Sequence, residues 1–126
     1  MKHKYFSIIT HDVARLAKFY QSILHVESIG INDLENYVEL NIDNFIVCIE
    51  SIASVKTRSG TSFAAGPVFV EFEVSAVDEE YMRLKQIGIV SIKEPFDNPW
   101  GTRNFYFYDP DGNLICFYTN SKGNIF

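Results

Sequence analysis

The amino-acid sequence predicts an α+β fold in which one order of elements, a strand, a helix and then further strands, occurs twice. Apolar residues at strand spacing and at helix spacing follow each other in the same order in both halves. Tyr5 corresponds to Phe69 and Cys48 corresponds to Cys116, with a few residues inserted in the second half. The segment between the halves, about 52–66, is rich in Ser, Thr, Ala and Gly, which is typical of a linker.

The first half begins with a predicted strand over Tyr5–Thr10, and Asp12 is placed to cap the helix that follows. The apolar stripe of this helix consists of Val13, Leu16, Phe19, Tyr20, Ile23 and Leu24. Two further strands are predicted near Tyr37–Asn41 and Phe45–Glu50, and a hairpin turn at 42–44 joins them.

The second half begins with a clear strand pattern of period two. Its alternating apolar residues are Val68, Val70, Phe72 and Val74. Ser75 is placed to cap the next helix, and Gly88 is a natural end for it. Later strands are predicted near Asn104–Tyr108 and Leu114–Thr119, joined by a turn at 109–113 whose Pro and Gly favour chain reversal.

Length, charge and cysteine content restrict the class of protein. A chain of 126 residues suits one domain with its own core. The net charge of −5 argues against nucleic acid or an anionic membrane as the partner, because phosphate contacts need clustered Lys and Arg. No apolar leader and no apolar run of membrane-spanning length is visible, and two cysteines fit free thiols. We therefore expect a cytoplasmic protein.

Two segments resemble a known superfamily. The segment 99–115 contains a Gly-x-Arg strand, an Asp-Pro-x-Gly-Asn turn and a final strand, and it is the more specific of the two. Asp12, followed by Phe19-Tyr20 and Leu24, is similar to the first helix of the same proteins, although His25 stands where they usually have Gly. The chain thus resembles the glyoxalase / bleomycin resistance / extradiol dioxygenase (vicinal oxygen chelate) superfamily, and within it the metal-free branch of bleomycin-resistance type.

The resemblance implies an architecture. It implies two tandem βαβββ units that form a cupped mixed sheet around a cleft, with the helices on the convex side. The whole chain, 1–126, would be a single domain, with unit one at about 1–51, a linker at about 52–66 and unit two at about 67–126. Members of the superfamily often dimerise, so the resemblance also implies a homodimer.

Metal-dependent members of that superfamily hold one divalent ion with up to four His, Glu or Gln side chains. Transferred to this sequence, the ligand positions fall on Tyr5, Cys48, Phe69 and Cys116. Phenylalanine has no donor atom, and the three histidines lie at the terminus or near turns. We therefore expect no metal site and no other cofactor. An alternative oxygen-rich site formed by Glu50, Glu71 and Glu73 stays open.

Strand parity predicts which side chains face the implied cleft. In the strand that begins the second half, Phe69, Glu71 and Glu73 would face it, whereas Phe6 and Ile8 of the first strand would be core. The candidate ligand-binding residues are Tyr5, Cys48, Glu50, Phe69, Glu71, Trp100, Arg103, Cys116 and Tyr118. No residue is assigned a catalytic role.

Each candidate also has an ordinary structural explanation. Trp100 could anchor a loop, and Arg103 could form an ion pair with Glu94 or Asp97. Glu71 could serve solubility alone, and a buried cysteine usually behaves as a small apolar residue.

These patterns favour a binding function over catalysis. Aromatic rings together with carboxylates suit an aromatic or cationic small molecule, which the cleft would hold without a metal, as drug-sequestering bleomycin resistance proteins do. The alternative is a divergent glyoxalase, lyase, isomerase or dioxygenase with a relocated metal site or none. A third possibility is a binding or regulatory subunit whose partner is a protein.

Overall fold

The computed structural model describes residues 6–43, 45–62 and 66–120. The chain divides into two compact units, Met1–Gly66 and Pro67–Phe126, and each is described by itself. Each unit contains a four-stranded mixed sheet with helical cover, so the predicted α+β class is confirmed. None of the helices in the described ranges is long and apolar enough to span a membrane.

Unit 1 is a sheet with the strand order β1-β4-β3-β2. Its elements are β1 (Phe6–Thr10), α1 (Val13–Ile23), β2 (Ser28–Asp33), β3 (Tyr37–Ile42), β4 (Phe45–Ser51) and α2 (Ile52–Ser59). The first and last strands, β1 and β4, are parallel, with Ser7 opposite Cys48. The other two pairings are antiparallel.

Unit 2 repeats this arrangement with the order β5-β8-β7-β6. Its elements are β5 (Phe69–Glu73), α3 (Val77–Gln86), β6 (Phe96–Asp97), β7 (Thr102–Tyr108) and β8 (Leu114–Asn120). Here β5 and β8 are parallel, and Glu71 lies opposite Cys116. Since Ser7 and Cys48 hold the same register in unit 1, the tandem βαβββ repeat predicted from the sequence is confirmed.

The core of unit 1 lies between α1 and its sheet. The Asp12 side chain accepts a hydrogen bond from the Arg15 backbone N–H at 3.1 Å, which confirms the predicted helix cap. The buried residues of α1 recur at helical spacing: Val13, Leu16, Ala17, Tyr20 and Ile23. They pack on β3 and β4, whose buried Val38, Leu40 and Ile49 complete the core.

The core of unit 2 is aromatic. Phe105, Phe107 and Phe117 are almost fully buried, and their ring centroids lie 5.3–5.7 Å apart. Phe72 of β5 meets Phe117 edge-on, and Tyr81 of α3 meets Phe105 in the same way. The aromatic residues of β7 and β8 that alternate toward α3 therefore build this core.

The segment at about 52–66 was predicted to be a linker. Its first part forms helix α2, so the prediction is corrected for Ile52–Ser59. The Ser51 hydroxyl accepts a hydrogen bond from the Ser54 backbone N–H at 3.0 Å and begins the helix. Gly60, with φ of 73°, ends it in the left-handed conformation. The helix has only one buried residue, Ile52, so its apolar stripe was too weak to predict it.

The predicted cap of α3 is also corrected. The residue at the N-cap position of α3 is Ala76 and not Ser75, and no side chain at that position caps the helix. Instead, the Thr119 hydroxyl of β8 accepts from the Val77 backbone N–H at 3.1 Å and donates to the Val74 carbonyl at 3.0 Å. A side chain distant in sequence thus satisfies the helix terminus, which local patterns do not indicate.

Phe6 was predicted to be core, and this is wrong. Its side chain is 69 % exposed, whereas Ile8 of the same strand is buried as predicted. Within unit 1, β1 is at the edge of the sheet, and α1 packs on β3 and β4. Phe6 is the first residue of β1, so the burial that strand parity gives to Ile8 does not extend to the end of the strand.

Phe117 is buried and Phe6 is exposed, so their substitution should change the stability of the protein by very different amounts. Phe117→Ala should lower the free energy of unfolding by about 3–5 kcal/mol, because it leaves a cavity inside the aromatic core. Phe6→Ala, the matched control, should change the free energy by roughly 0.5 kcal/mol or less. Urea unfolding followed by circular dichroism measures both, and equal losses for the two variants would contradict this core assignment.

Candidate ligand-binding site

The face of each sheet that is opposite its main helix carries the polar and aromatic residues of the site. We call these surfaces open face 1 (Ser7, Ile9, Tyr37, Glu39, Cys48 and Glu50) and open face 2 (Phe69, Glu71, Glu73, Asn104, Tyr106, Cys116 and Tyr118). In β5, Phe72 is buried while Phe69 and Glu71 are exposed, so the predicted parity of this strand is confirmed.

Open face 2 contains a cavity of about 340 Å³. Its lining residues are Glu71, Glu73, Trp100, Thr102, Asn104, Tyr106, Tyr118 and Asn120. Among the described residues, neither Glu71 nor Glu73 lies within ion-pair distance of a basic side chain. Both side chains are exposed, and the Trp100 ring beside them is 55 % exposed. The cavity therefore combines aromatic walls with two carboxylates that have no basic partner among the described residues.

An ordered aromatic stack continues from the cavity, and of its three rings Tyr106 belongs to the lining. Tyr106 is central, with its ring centroid 6.3 Å from that of Phe69 and 5.9 Å from that of Phe96. The interplanar angles, 26° and 29°, are those of stacked rings. Since Phe69 is more than half exposed, the outer ring of the stack is available to a ligand.

The floor of the cavity is a buried hydrogen-bond network. The Asn104 amide donates to the Tyr106 hydroxyl at 2.9 Å, and its carbonyl accepts from the Thr102 hydroxyl at 3.2 Å. Burial, reinforced by the charge of Glu71, raises the pKa of the Cys116 thiol to about 11. Burial also raises the pKa of the Tyr106 hydroxyl. The floor is therefore neutral, and the charge lies in the two carboxylates above it.

Open face 1 lines a larger cavity of about 940 Å³, and one of its carboxylates, Glu50, is compensated by a basic side chain. Glu50 is buried, and its Oε1 lies 2.7 Å from Arg58 Nη2 of helix α2. The Ser7 hydroxyl donates to Glu50 Oε2. Glu50 therefore adds no unbalanced negative charge, in contrast to Glu71 and Glu73.

A phenol covers the thiol of open face 1. Tyr37 Oη lies 3.2 Å from Cys48 Sγ and donates to Glu39 Oε2 at 3.0 Å. Burial raises the pKa of Cys48, and burial together with the bond to Cys48 raises the pKa of Tyr37 well above its usual range. Both groups are therefore protonated at neutral pH.

The structure separates the predicted site residues by unit. Glu71, Trp100 and Tyr118 line the cavity of open face 2, with Phe69 and Cys116 on the same face. Cys48 and Glu50 belong to open face 1. Tyr5 lies outside the described residues.

Within unit 2, Arg103 points toward α3 rather than onto open face 2, and it forms an ion pair there. Its guanidinium binds both carboxylate oxygens of Asp78 on α3, with Nε 3.1 Å from Oδ2. A second pair to Asp97 measures 3.4 Å. Of the two alternatives, the ion pair with Asp97 is therefore the one observed, and Asp78 is a partner that the sequence did not indicate.

Several residues that the structure places at the cavities were not among the predicted site residues, and four of them with functional side chains are Tyr37, Arg58, Asn104 and Tyr106. Parity along β3 and β7 could have found three of them, since they alternate with buried apolar neighbours. Arg58 was hidden by the linker prediction. The Ser51 and Gly60 caps were the signals that could have revealed its helix.

Comparison with known proteins identifies the family. The family model for the Glyoxalase/Bleomycin resistance protein/Dioxygenase superfamily matches residues 2–117. The chain belongs to this superfamily. The resemblance stated from the sequence is confirmed.

The superfamily relatives similar in sequence are bleomycin resistance proteins. Those of Geobacillus stearothermophilus and Staphylococcus aureus are 38 % identical over 65 residues, which is 48 % of this chain and 47 % of theirs. The chain thus spans about half the length of these relatives in the match.

Two solved structures show the same superfamily fold. TioX from Micromonospora sp. ML1 has a TM-score of 0.80 at 21 % identity, covering 95 % of this chain and 99 % of TioX. Lactoylglutathione lyase from Agrobacterium tumefaciens has a TM-score of 0.80 at 16 % identity, covering 96 % of this chain and 95 % of that one. At these identities the likeness concerns the fold alone.

The residues of this superfamily member do not fit the divalent-metal site of its metal-dependent relatives. Of the transferred ligand positions that are described, Phe69 has no donor atom. Cys48 and Cys116 are buried thiols with raised pKa values, and metal ligation needs the thiolate. Within the described ranges, no three His, Cys, Asp or Glu side chains form a group that could hold a metal ion.

The raised thiol pKa values predict slow cysteine chemistry. A thiol with a pKa of about 11 is roughly 0.1 % thiolate at pH 8, and both thiols are fully buried. Reaction of the native protein with Ellman's reagent should be at least about 100-fold slower than reaction of the protein in guanidinium chloride, and it should accelerate as the pH rises. The single variants Cys48→Ser and Cys116→Ser show which thiol is responsible for each kinetic phase of the reaction. A stoichiometric fast reaction of the native protein at pH 8 would contradict this description of the thiols.

Proposed function

We propose that this protein binds an aromatic, cationic small molecule on open face 2 and holds it without a metal or a chemical step. The observation that carries the proposal is a pair of carboxylates, Glu71 and Glu73, that lie in a cavity walled by aromatic rings and have no basic partner within the described ranges. Bleomycin is the first ligand to test, because bleomycin resistance proteins are among the relatives.

Charge supports a cationic ligand. Glu71 and Glu73 project from alternate positions of one strand, so both lie on the same face of the sheet. Neither has a basic partner in the described part of the chain, and a cationic ligand would supply the missing charge. A cation over an aromatic face gains about 0.5–2 kcal/mol more. Trp100 and Tyr118 offer such faces.

The stacked rings support an aromatic ligand. Phe96, Tyr106 and Phe69 already form a stack in which the outer ring is exposed. A planar ligand on Phe69 would extend the stack without rearrangement of the protein, so little conformational entropy would be lost.

The neutral floor supports binding rather than catalysis. Cys116 and Tyr106 have raised pKa values, so neither supplies an ionised nucleophile or base at neutral pH. The hydrogen bonds of Asn104 hold this floor in one arrangement. The homodimer implied by the resemblance and the cytoplasmic location expected from the sequence belong to the same proposal.

Substitution of the two carboxylates tests the proposal. The double variant Glu71→Gln/Glu73→Gln should raise the Kd for metal-free bleomycin at least about tenfold, because it removes both counter-charges and keeps the side-chain shape. Trp100 is the only tryptophan of the chain and lines the cavity, so quenching of its fluorescence in EDTA-containing buffer measures binding.

The matched control is Glu79→Gln, an exposed carboxylate on helix α3 outside the cavity. It should leave the Kd within about twofold of the parent protein. Equal Kd values for the parent protein and the double variant would refute open face 2 as the site. Quenching that disappears in EDTA and returns with an added divalent metal would refute binding without a metal.

A further inference from the structure

The larger cavity, on open face 1, has a chemistry that differs from that of open face 2. It measures about 940 Å³ and lies between strands β1 to β4 and helix α2. Its lining residues are Ser7, Ile31, Asp33, Asn36, Tyr37, Glu50, Ala53, Ser54, Thr57 and Arg58. Helix α2 thus contributes four of these lining residues. One of the four is Arg58, the basic residue in this list.

Arg58 is held in place from one side. Its Nη2 donates to Glu50 Oε1 at 2.7 Å, and the Ser7 hydroxyl donates to the other carboxylate oxygen. Glu50 is only 4 % exposed, so the anchor is rigid and shielded from solvent. A charge-assisted bond to a buried carboxylate fixes the orientation of the guanidinium fork.

The rest of the guanidinium is available. The Arg58 side chain is 59 % exposed, and its remaining N–H groups have no hydrogen-bond partner among residues 6–43, 45–62 and 66–120. An arginine presents five donors in a plane, and one edge suffices for Glu50. A second edge therefore remains for a planar oxyanion.

We infer that the cavity of open face 1 is a second binding site, which takes a small molecule bearing a carboxylate and recognises it through Arg58. The hydroxyls of Tyr37 and Thr57 are further polar groups in the wall, and Ile31 and Ala53 give apolar surface for the body of the ligand. This site goes beyond the proposed function, because its unit, its residues and its charge preference are all different.

The cavity wall also contains two carboxylates, Glu50 and Asp33, which would repel an anionic ligand to different extents. Glu50 is compensated by Arg58 and bound by Ser7. Asp33 is exposed and accepts from the Glu35 backbone N–H at 3.1 Å and from the Asn36 amide at 3.4 Å. Asp33 therefore repels the ligand through solvent, and its neutralisation should strengthen binding.

An NMR titration with benzoate tests this inference, with benzamide as the uncharged isostere. In ¹⁵N spectra of the full chain, benzoate should shift the amides of α2 and the Nε–H of Arg58 and bind at least about tenfold more tightly than benzamide. Shifts confined to other parts of the protein, or equal affinity for the two probes, would overturn the inference.

The variants are chosen so that the protein still folds. Arg58→Gln alone would leave Glu50 buried without its counter-charge, so the test uses Glu50→Gln/Arg58→Gln, which removes both charges. This double variant should weaken benzoate binding at least about tenfold. Lys56→Gln, on the same helix but outside the cavity, should leave it unchanged.

In a third variant, the direction of the change in benzoate affinity separates recognition of charge from a general effect on helix α2. Asp33→Asn keeps an acceptor for the Glu35 backbone N–H and should tighten benzoate binding by about twofold or more. Weaker or unchanged benzoate binding in Asp33→Asn, or unchanged binding in the double variant, would overturn the assignment to Arg58. Neither result would bear on bleomycin binding at Glu71 and Glu73, which is measured with other residues and another probe.

Discussion

Both cavities depend on the parallel pairing of the first strand of each unit with its last strand. In unit 1 this pairing sets Ser7 beside Cys48, and in unit 2 it sets Glu71 beside Cys116. The paired last strand, β4 or β8, then has a neighbour on each side, and its thiol is completely buried. Because the main helix covers one face of the sheet, polar side chains collect on the other.

The duplicated units carry their carboxylates at non-equivalent positions. Glu50 of β4 and Tyr118 of β8 are equivalent, since each lies two residues after the buried cysteine. In unit 1 the carboxylate lies on the inner strand and is compensated by Arg58. In unit 2 the carboxylates, Glu71 and Glu73, lie on the edge strand β5, and no basic side chain in the described part of the chain pairs with them. Duplication therefore preserved the sheet and allowed the charge of each open face to diverge.

The open face of unit 2 was predictable because strand parity is a local property. The alternation along β5 was enough to place Phe69, Glu71 and Glu73 on one face and Phe72 in the core. The turn at 109–113 was predictable for the same reason. Its Asp109 side chain accepts from the backbone N–H groups of residues 111 and 113, both at 2.9 Å.

What the sequence did not reveal depends on contacts between distant segments. The cap of α3 comes from Thr119, the ion pair of Arg103 comes from Asp78, and the anchor of Arg58 comes from Glu50. None of these pairs follows a local pattern, because each joins two different elements. Strand β2 was also not located, since its apolar alternation is limited to Ile29 and Ile31, and all six of its residues are exposed.

The most direct test of the central claim is a map of where a cationic aromatic ligand binds. A ¹⁵N NMR titration of the full chain with metal-free bleomycin gives this map at the level of single amides. Binding on open face 2 predicts shifts concentrated on β5, β7 and β8 and on the Trp100 indole N–H, around the Glu71 and Glu73 carboxylates. Shifts concentrated on α1 or α3, which cover the other faces of the sheets, or no shifts at saturating bleomycin, would contradict it.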